Sequence, residues 1–281
     1  MARKQVTPPA LRHLVLAGLI FLLAGTTACR FSLVEDLYVL KGMDTCPKQS
    51  LEAMSKEAAA FDHGTKDFPL YCALDLLRRS VRHPIHRSQL PARICYLLAD
   101  RGETSTSRER LAAEGVRWAE IALEQPAMGQ EGAIHYYLAA NLGLAVYEST
   151  ALAVKNLKRL HRELESAMEL APEVDEGGPL RVMGMLLLMA PPWPRGIGDG
   201  EKAVELLEKA VTEYPKHPLN HIFYAQCLWE VEEEEAEDKV REHLKLGMEL
   251  LKNPRWGDAE KRWSKLLQDL AKEAGASFLP R

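Results

Sequence analysis

From about residue 48 to residue 274, apolar residues recur three and four positions apart, in runs broken by proline, glycine or polar clusters. That period lays one apolar stripe along each of a series of amphipathic helices. The pattern predicts helices over 48–61, 67–82, 87–99, 107–124, 130–148, 151–171, 180–189, 218–231, 236–251 and 257–274, with one more between Asp199 and Pro215. No strand-type alternation stands out. The expected fold is all-α: a superhelical array of antiparallel helix pairs. The last helix serves as a cap, with Trp263, Leu266, Leu267 and Leu270 on one face and charges on the other.

The helix after Asp199 shows the rule most clearly. Pro191, Pro192 and Pro194 exclude a helix before it, and Asp199 is a good N-cap because its carboxylate can accept from the free N–H groups of the first turn. Ala203, Leu207, Ala210 and Pro215 then follow in steps of four, three and five. Small residues let two helices approach, and Leu207 fills the groove between them. The same steps recur at Leu160, Leu164, Ala167 and Pro172, and less cleanly at Cys72, Leu76, Arg79 and Pro84. Gly115, Ala119 and Ala122 fit with Pro126 one residue early, and Val240, Leu244 and Gly247 fit with Pro254 late. This is the second-helix signature of a tetratricopeptide repeat. Ala122, Ala167, Ala210 and Gly247 are spaced by 45, 43 and 37 residues, longer than the usual period of about 34, so insertions between paired helices are expected.

The N-terminus reads differently. Arg3, Lys4 and Arg12 precede a twelve-residue apolar run, Leu14 to Gly25, and the small residues Thr26, Thr27 and Ala28. This is the layout of an export signal and is shorter than the span of about 20 residues that crosses a membrane. Leu23 to Cys29 resembles a lipobox with Thr26 where Leu or Val is usual, which makes Cys29 the candidate lipidation site. Ordinary signal cleavage to a soluble periplasmic protein and an uncleaved anchor remain open. Arg30 follows Cys29, with no Asp resembling an inner-membrane retention signal, which favours the outer membrane. The domain plan is then an export signal at 1–28, a linker or short helix at 29–47, and a helical-repeat domain at 48–281.

Composition and charge narrow the function. With 47% hydrophobic and 27% charged residues, the chain can bury a large core. Net charge is −4, and removing the three cations of residues 1–28 makes it −7, which argues against a nucleic-acid partner. No nucleophile, zinc or phosphate-loop motif occurs. Gly196, Gly198 and Gly200 follow a proline break and not a strand, so a dinucleotide loop does not fit. A non-enzymatic protein without a cofactor or metal is expected. His217 and His221, four apart, could share a metal, but Pro218 places His217 outside the helix. Turn and surface roles are expected for these two and for His83 and His86. Cys72, Cys95 and Cys227 lie on apolar faces and read as buried thiols, while disulfide pairing among Cys46, Cys72, Cys95 and Cys227 stays open. The acidic run Glu232 to Glu235 reads as a solvated turn.

The candidate binding residues are Trp193, Arg195, Asp199, Tyr136 and Tyr137. Tyr136, Tyr137, Trp193, Tyr224 and Trp229 are either packing residues or the lining of a concave groove. Trp193 offers a flat apolar surface and Arg195 a planar cation for a carboxylate. Alternatively, Trp193 plugs the repeat core and Arg195 caps a helix.

Taken together, the export signal, the long helix pairs, YYLAANLG at 136–143 and APPWPRGIGDGEKAVELLEKA at 190–210 resemble the T component of tripartite ATP-independent periplasmic (TRAP) transporters. The likeness runs from about residue 50 to about residue 250, and the loop at 193–199 is its most specific part. It implies a periplasm-facing lipoprotein that associates with a periplasmic substrate-binding protein and forms homo-oligomers. It also implies organic acids or hydrophobic small molecules as ligands, and membrane contact through the lipid anchor. The alternative is an outer-membrane scaffold whose repeats hold other envelope proteins without a transporter.

Overall fold

The computed structural model describes residues 46–80, 83–102, 104–232 and 236–274. The export segment, Cys29 and residues 233–235 of the acidic run lie outside them. The described residues belong to one compact unit. They form eleven α-helices: α1 (Leu51–Ala58), α2 (Asp67–Arg78), α3 (Leu90–Asp100), α4 (Ser105–Glu124), α5 (Glu131–Val146), α6 (Thr150–Leu170), α7 (Gly178–Met189), α8 (Gly200–Glu213), α9 (Pro218–Glu232), α10 (Glu237–Leu251) and α11 (Ala259–Glu273). There is no strand among them, only an isolated bridge between Pro192 and Gly198. No described helix is long and apolar enough to cross a membrane.

The helices begin and end where local chemistry dictates. Side chains of Ser50, Thr104, Ser149 and Asp199 accept from the backbone N–H three residues on and cap α1, α4, α6 and α8, satisfying donors that have no intrahelical partner. Pro91, Pro179 and Pro218 sit in first turns, where their missing N–H is harmless.

Four antiparallel pairs, α3–α4, α5–α6, α7–α8 and α9–α10, repeat along the chain. The first helices α3, α5, α7, α9 and finally α11 touch in succession, and each second helix packs between its partner and the next first helix. This is the expected all-α helical-repeat array. The small-residue signature lies inside it: Ala203, Leu207, Ala210, Leu164, Ala167, Ala119, Ala122 and Leu244 are all fully buried. A Cβ on Gly184 of α7 would stand 2.6 Å from Leu207 Cγ, so that glycine is what admits the leucine. In α2 the repeat-type steps through Leu76 and Arg79 do not mark the buried face, since Leu76 is half-buried and Arg79 exposed. The buried stripe is Leu70, Ala73, Leu74 and Leu77, the four apolar residues that the helical period over 67–82 puts on one side. Cys72 is also not a free thiol. It is bonded to Cys46, Cα to Cα 5.6 Å, because the segment before α1 lies along α2. Cys95 and Cys227 are buried and form no disulfide among the described residues, as expected.

The two ends of the array meet. Arg262 of α11 pairs with Asp100 at the end of α3. Trp263 packs edge-on to His63, which precedes α2, with ring centroids 4.9 Å apart. A side chain on Gly64 would overlap the backbone of Arg255, and Gly257, with φ of 49°, lies against Gly64 in turn.

Candidate functional site

Two places concentrate chemistry: a buried polar cluster where the array's ends meet, and an exposed loop between α7 and α8. The cluster is centred on Asp175. Pro172 follows the end of α6, and the chain reaches α7 through Asp175, Glu176 and Gly177, with φ of 54°, 50° and 84°. The first two are strained for residues with a Cβ, at about 1–3 kcal/mol each. Several bonds hold them there. Asp175 Oδ1 accepts from His63 Nε2 at 3.0 Å, and Oδ2 accepts from the Tyr136 hydroxyl at 2.6 Å and Arg181 Nη2 at 2.7 Å. Arg181 also donates to the Asp175 carbonyl at 3.3 Å and to Asn220 Oδ1 at 2.7 Å. Asn220 Nδ2 returns to the carbonyls of Glu176 and Tyr214 at 3.0 and 2.8 Å. The His63 segment is in turn clasped by Arg101, which donates to the carbonyls of Asp62, His63 and Thr65.

Burial raises the cost of ionising Asp175, yet the neighbouring His63 and Arg181 outweigh it and hold the carboxyl far below the usual range. Burial would likewise depress Arg181, but Asp175 overcomes it and raises the guanidinium. The phenols of Tyr136, Tyr137 and Tyr96 are pushed up by burial first, and by nearby carboxylates second, so they stay protonated, and Tyr136 donates to Asp175.

His63, Asp175 and His217 each offer one ligand atom, all within 4.8 Å of one another. The set does not fit a metal ion. His217 Nδ1 accepts the Leu219 N–H at 3.3 Å, so in the neutral ring Nε2 carries the proton and has no lone pair to give. Arg181 already takes the second oxygen of Asp175, and a divalent cation there would sit beside a buried guanidinium. The cluster ties four segments of chain together.

Several histidines differ from the turn and surface roles expected of them. His217 is 1% exposed, packed among His63, Trp256 and Trp263. His221 is buried too, with Nε2 donating to the Pro215 carbonyl and Nδ1 2.9 Å from His243 Nδ1. His86 is buried and stacks on Trp118. His83 keeps the expected turn role, its Nδ1 accepting the Ile85 N–H, and buried His217 makes the same turn bond to the Leu219 N–H. Burial lowers the pKa of His86, His217 and His221, and of His243 to about 4, with the facing His221 adding to the last. Their folded values lie below the unfolded value of about 6.5, so the unfolded chain binds protons first on acidification. Stability should be full above about pH 6.5 and fall steadily towards pH 4, with Asp175 adding its own loss only below about pH 4. A melting temperature flat from pH 7.5 to 4.5 in a fluorescence titration would contradict this.

The second place is the loop 190–199. Backbone bonds from Arg195 N and Gly196 N to the Pro192 carbonyl, from Gly198 N to Pro191 and from Asp199 N to Leu187 fold it tightly. Pro191 to Arg195 are all exposed. Trp193 is 85% exposed, and Met189 at the end of α7 is 68% exposed. Trp193 therefore does not plug the repeat core. The Arg195 guanidinium caps no helix among the described residues. Asp199 Oδ1 accepts from Lys202 N at 3.0 Å and is a helix cap. The five candidate residues thus fall apart: Tyr136 and Tyr137 are interior, Trp193 and Arg195 are on the surface, and Asp199 is structural. Among the other aromatics, Tyr224 is buried and Trp229 partly so.

No family model and no curated protein matches this chain. Sequence reasoning missed His63, Asp175, Arg181 and Asn220. A signal existed for two of them. Arg181 stands alone in the apolar run Leu180 to Met189, and Asn220 lies in the first turn of a helix rich in apolar residues; a buried polar group needs a partner.

Proposed function

We propose that this chain is a periplasm-facing, lipid-anchored repeat protein that acts as the accessory component of a tripartite ATP-independent periplasmic transporter. Its rigid, solvent-facing loop at Trp193–Arg195 would dock the substrate-binding protein. The observation that carries the reading is that loop. It holds the most family-like stretch of sequence, it is folded by its own backbone bonds, and it presents a tryptophan that is 85% exposed. A pre-folded loop loses little entropy on docking, and tryptophan and arginine are the residues most enriched among binding hot spots. The Cys46–Cys72 bond supports an oxidising compartment, which agrees with export and with lipidation at Cys29. The inner-face residues Tyr96, Tyr136, Tyr137 and Trp263 are buried in the protein's own packing, which favours docking on the outside over a peptide held along the inner face.

The test places a photo-crosslinking amino acid at position 193 in cells. The expected product is a covalent adduct with a periplasmic substrate-binding protein. Arg195→Ala should reduce the yield roughly tenfold, about 1.4 kcal/mol, without moving the melting temperature. Adducts confined to lipid or to outer-membrane assembly proteins would overturn the transporter reading. So would a variant that melts several degrees lower with crosslinking intact.

A further inference from the structure

Two buried donors at the meeting point of the array's ends find no acceptor among the described groups: His217 Nε2 and Trp263 Nε1. Both residues are 1% exposed. Their rings adjoin, with centroids 5.4 Å apart, and both pack on His63. A buried donor left without an acceptor costs about 1–3 kcal/mol, and two on touching rings need an explanation.

Asp175 supplies part of one. A His217 ring nitrogen lies within 4.8 Å of its carboxylate and of a His63 nitrogen. His217 Nε2 makes no direct bond to the carboxylate. Two hydrogen bonds of about 2.8 Å meeting at one tetrahedral oxygen reach across about 4.6 Å, which falls within that limit. Asp175 accepts three bonds out of about four that a carboxylate can take, so it has room for one more donor. Charge decides between an ion and a neutral molecule. An added cation would sit beside the Arg181 guanidinium and an added anion beside the Asp175 carboxylate, so a neutral molecule fits.

We propose that one buried water molecule is an integral part of this closure. Its oxygen accepts from His217 Nε2–H and Trp263 Nε1–H, and one of its protons goes to the Asp175 carboxylate. About three bonds is the usual complement of a buried water. The water links the start of α9 and the start of α11 to the turn before α7, adding to the direct bond from Asn220 to the Glu176 carbonyl.

The test uses the whole protein after chelator dialysis. A crystal structure should show a single oxygen within about 3.2 Å of His217 Nε2, Trp263 Nε1 and Asp175. In solution, the Trp263 indole proton, assigned by its loss in Trp263→Phe, should show a cross-peak to long-lived water. His217→Phe should abolish that cross-peak or shorten the water's residence at least tenfold. If the phenylalanine variant does not fold, His217→Gln keeps a donor and should keep the water. Direct contact of His217 Nε2 with the carboxylate, or an indole proton with no water cross-peak, overturns the proposal. So does a melting temperature raised by zinc in the wild type and not in His217→Gln, which would make the site a metal site.

Discussion

Replacing Arg181 with methionine is expected to destabilise the protein by about 3–5 kcal/mol, the cost of removing one partner from a buried ion pair. The guanidinium is 1% exposed and bonds both the side chain and the carbonyl of Asp175, and Asn220 besides. Without it the Asp175 carboxylate keeps only His63 and Tyr136, and the left-handed turn at Asp175 and Glu176 loses much of what holds it. At about 2–4 °C per kcal/mol for a domain of this size, the melting temperature should drop by roughly 10 °C. Adding Asp175→Asn removes the stranded charge and should recover part of the loss, since residues in one network do not act additively. Circular dichroism during urea melts measures both. A single variant within about 1 kcal/mol of wild type would show that the cluster does not hold the fold.

Gly64→Ala should cost about 1–3 kcal/mol or more, through a different route. The new methyl group would meet the Arg255 backbone, which cannot swing away as a side chain can. The two ends of the array must separate for it to fit. The helix pairs lie elsewhere, so helical content should persist while α11 becomes sensitive to protease. Unchanged resistance of α11 with unchanged stability would mean that the ends do not meet as described.

The helices were legible because each carries its own period, cap and stop. The ends assigned from sequence fall within a few residues of the observed ones, and the steps through Ala203, Leu207 and Ala210 marked a true close contact. The meeting of the ends was not legible. It depends on His63 lying near residues more than 100 positions away, which no local period encodes. Arg181 and Asn220 broke an apolar pattern and could have been flagged, but not paired. The loop at 190–199 announced itself through its prolines and glycines. Its composition did not reveal that Trp193 points outward, because a tryptophan between prolines suits a buried plug equally well. Cys72 was misjudged for a related reason: an apolar helix face says that a thiol is shielded, and not which sulfur shields it.

The Cys46–Cys72 bond closes a loop of chain, with a sequence separation of 26, that contains both α1 and His63. In the anchored protein proposed above, every tug from a drifting membrane reaches the fold along the segment before Cys46. The sulfur bridge carries that pull straight into the middle of α2. Helix α1 and the His63 segment lie off the load path and stay slack. A short terminal helix is ordinarily the first part of a tethered protein to peel away. Here the peeling force bypasses it, and the histidine that grips Asp175 is insulated from mechanical strain for as long as the cysteines stay oxidised.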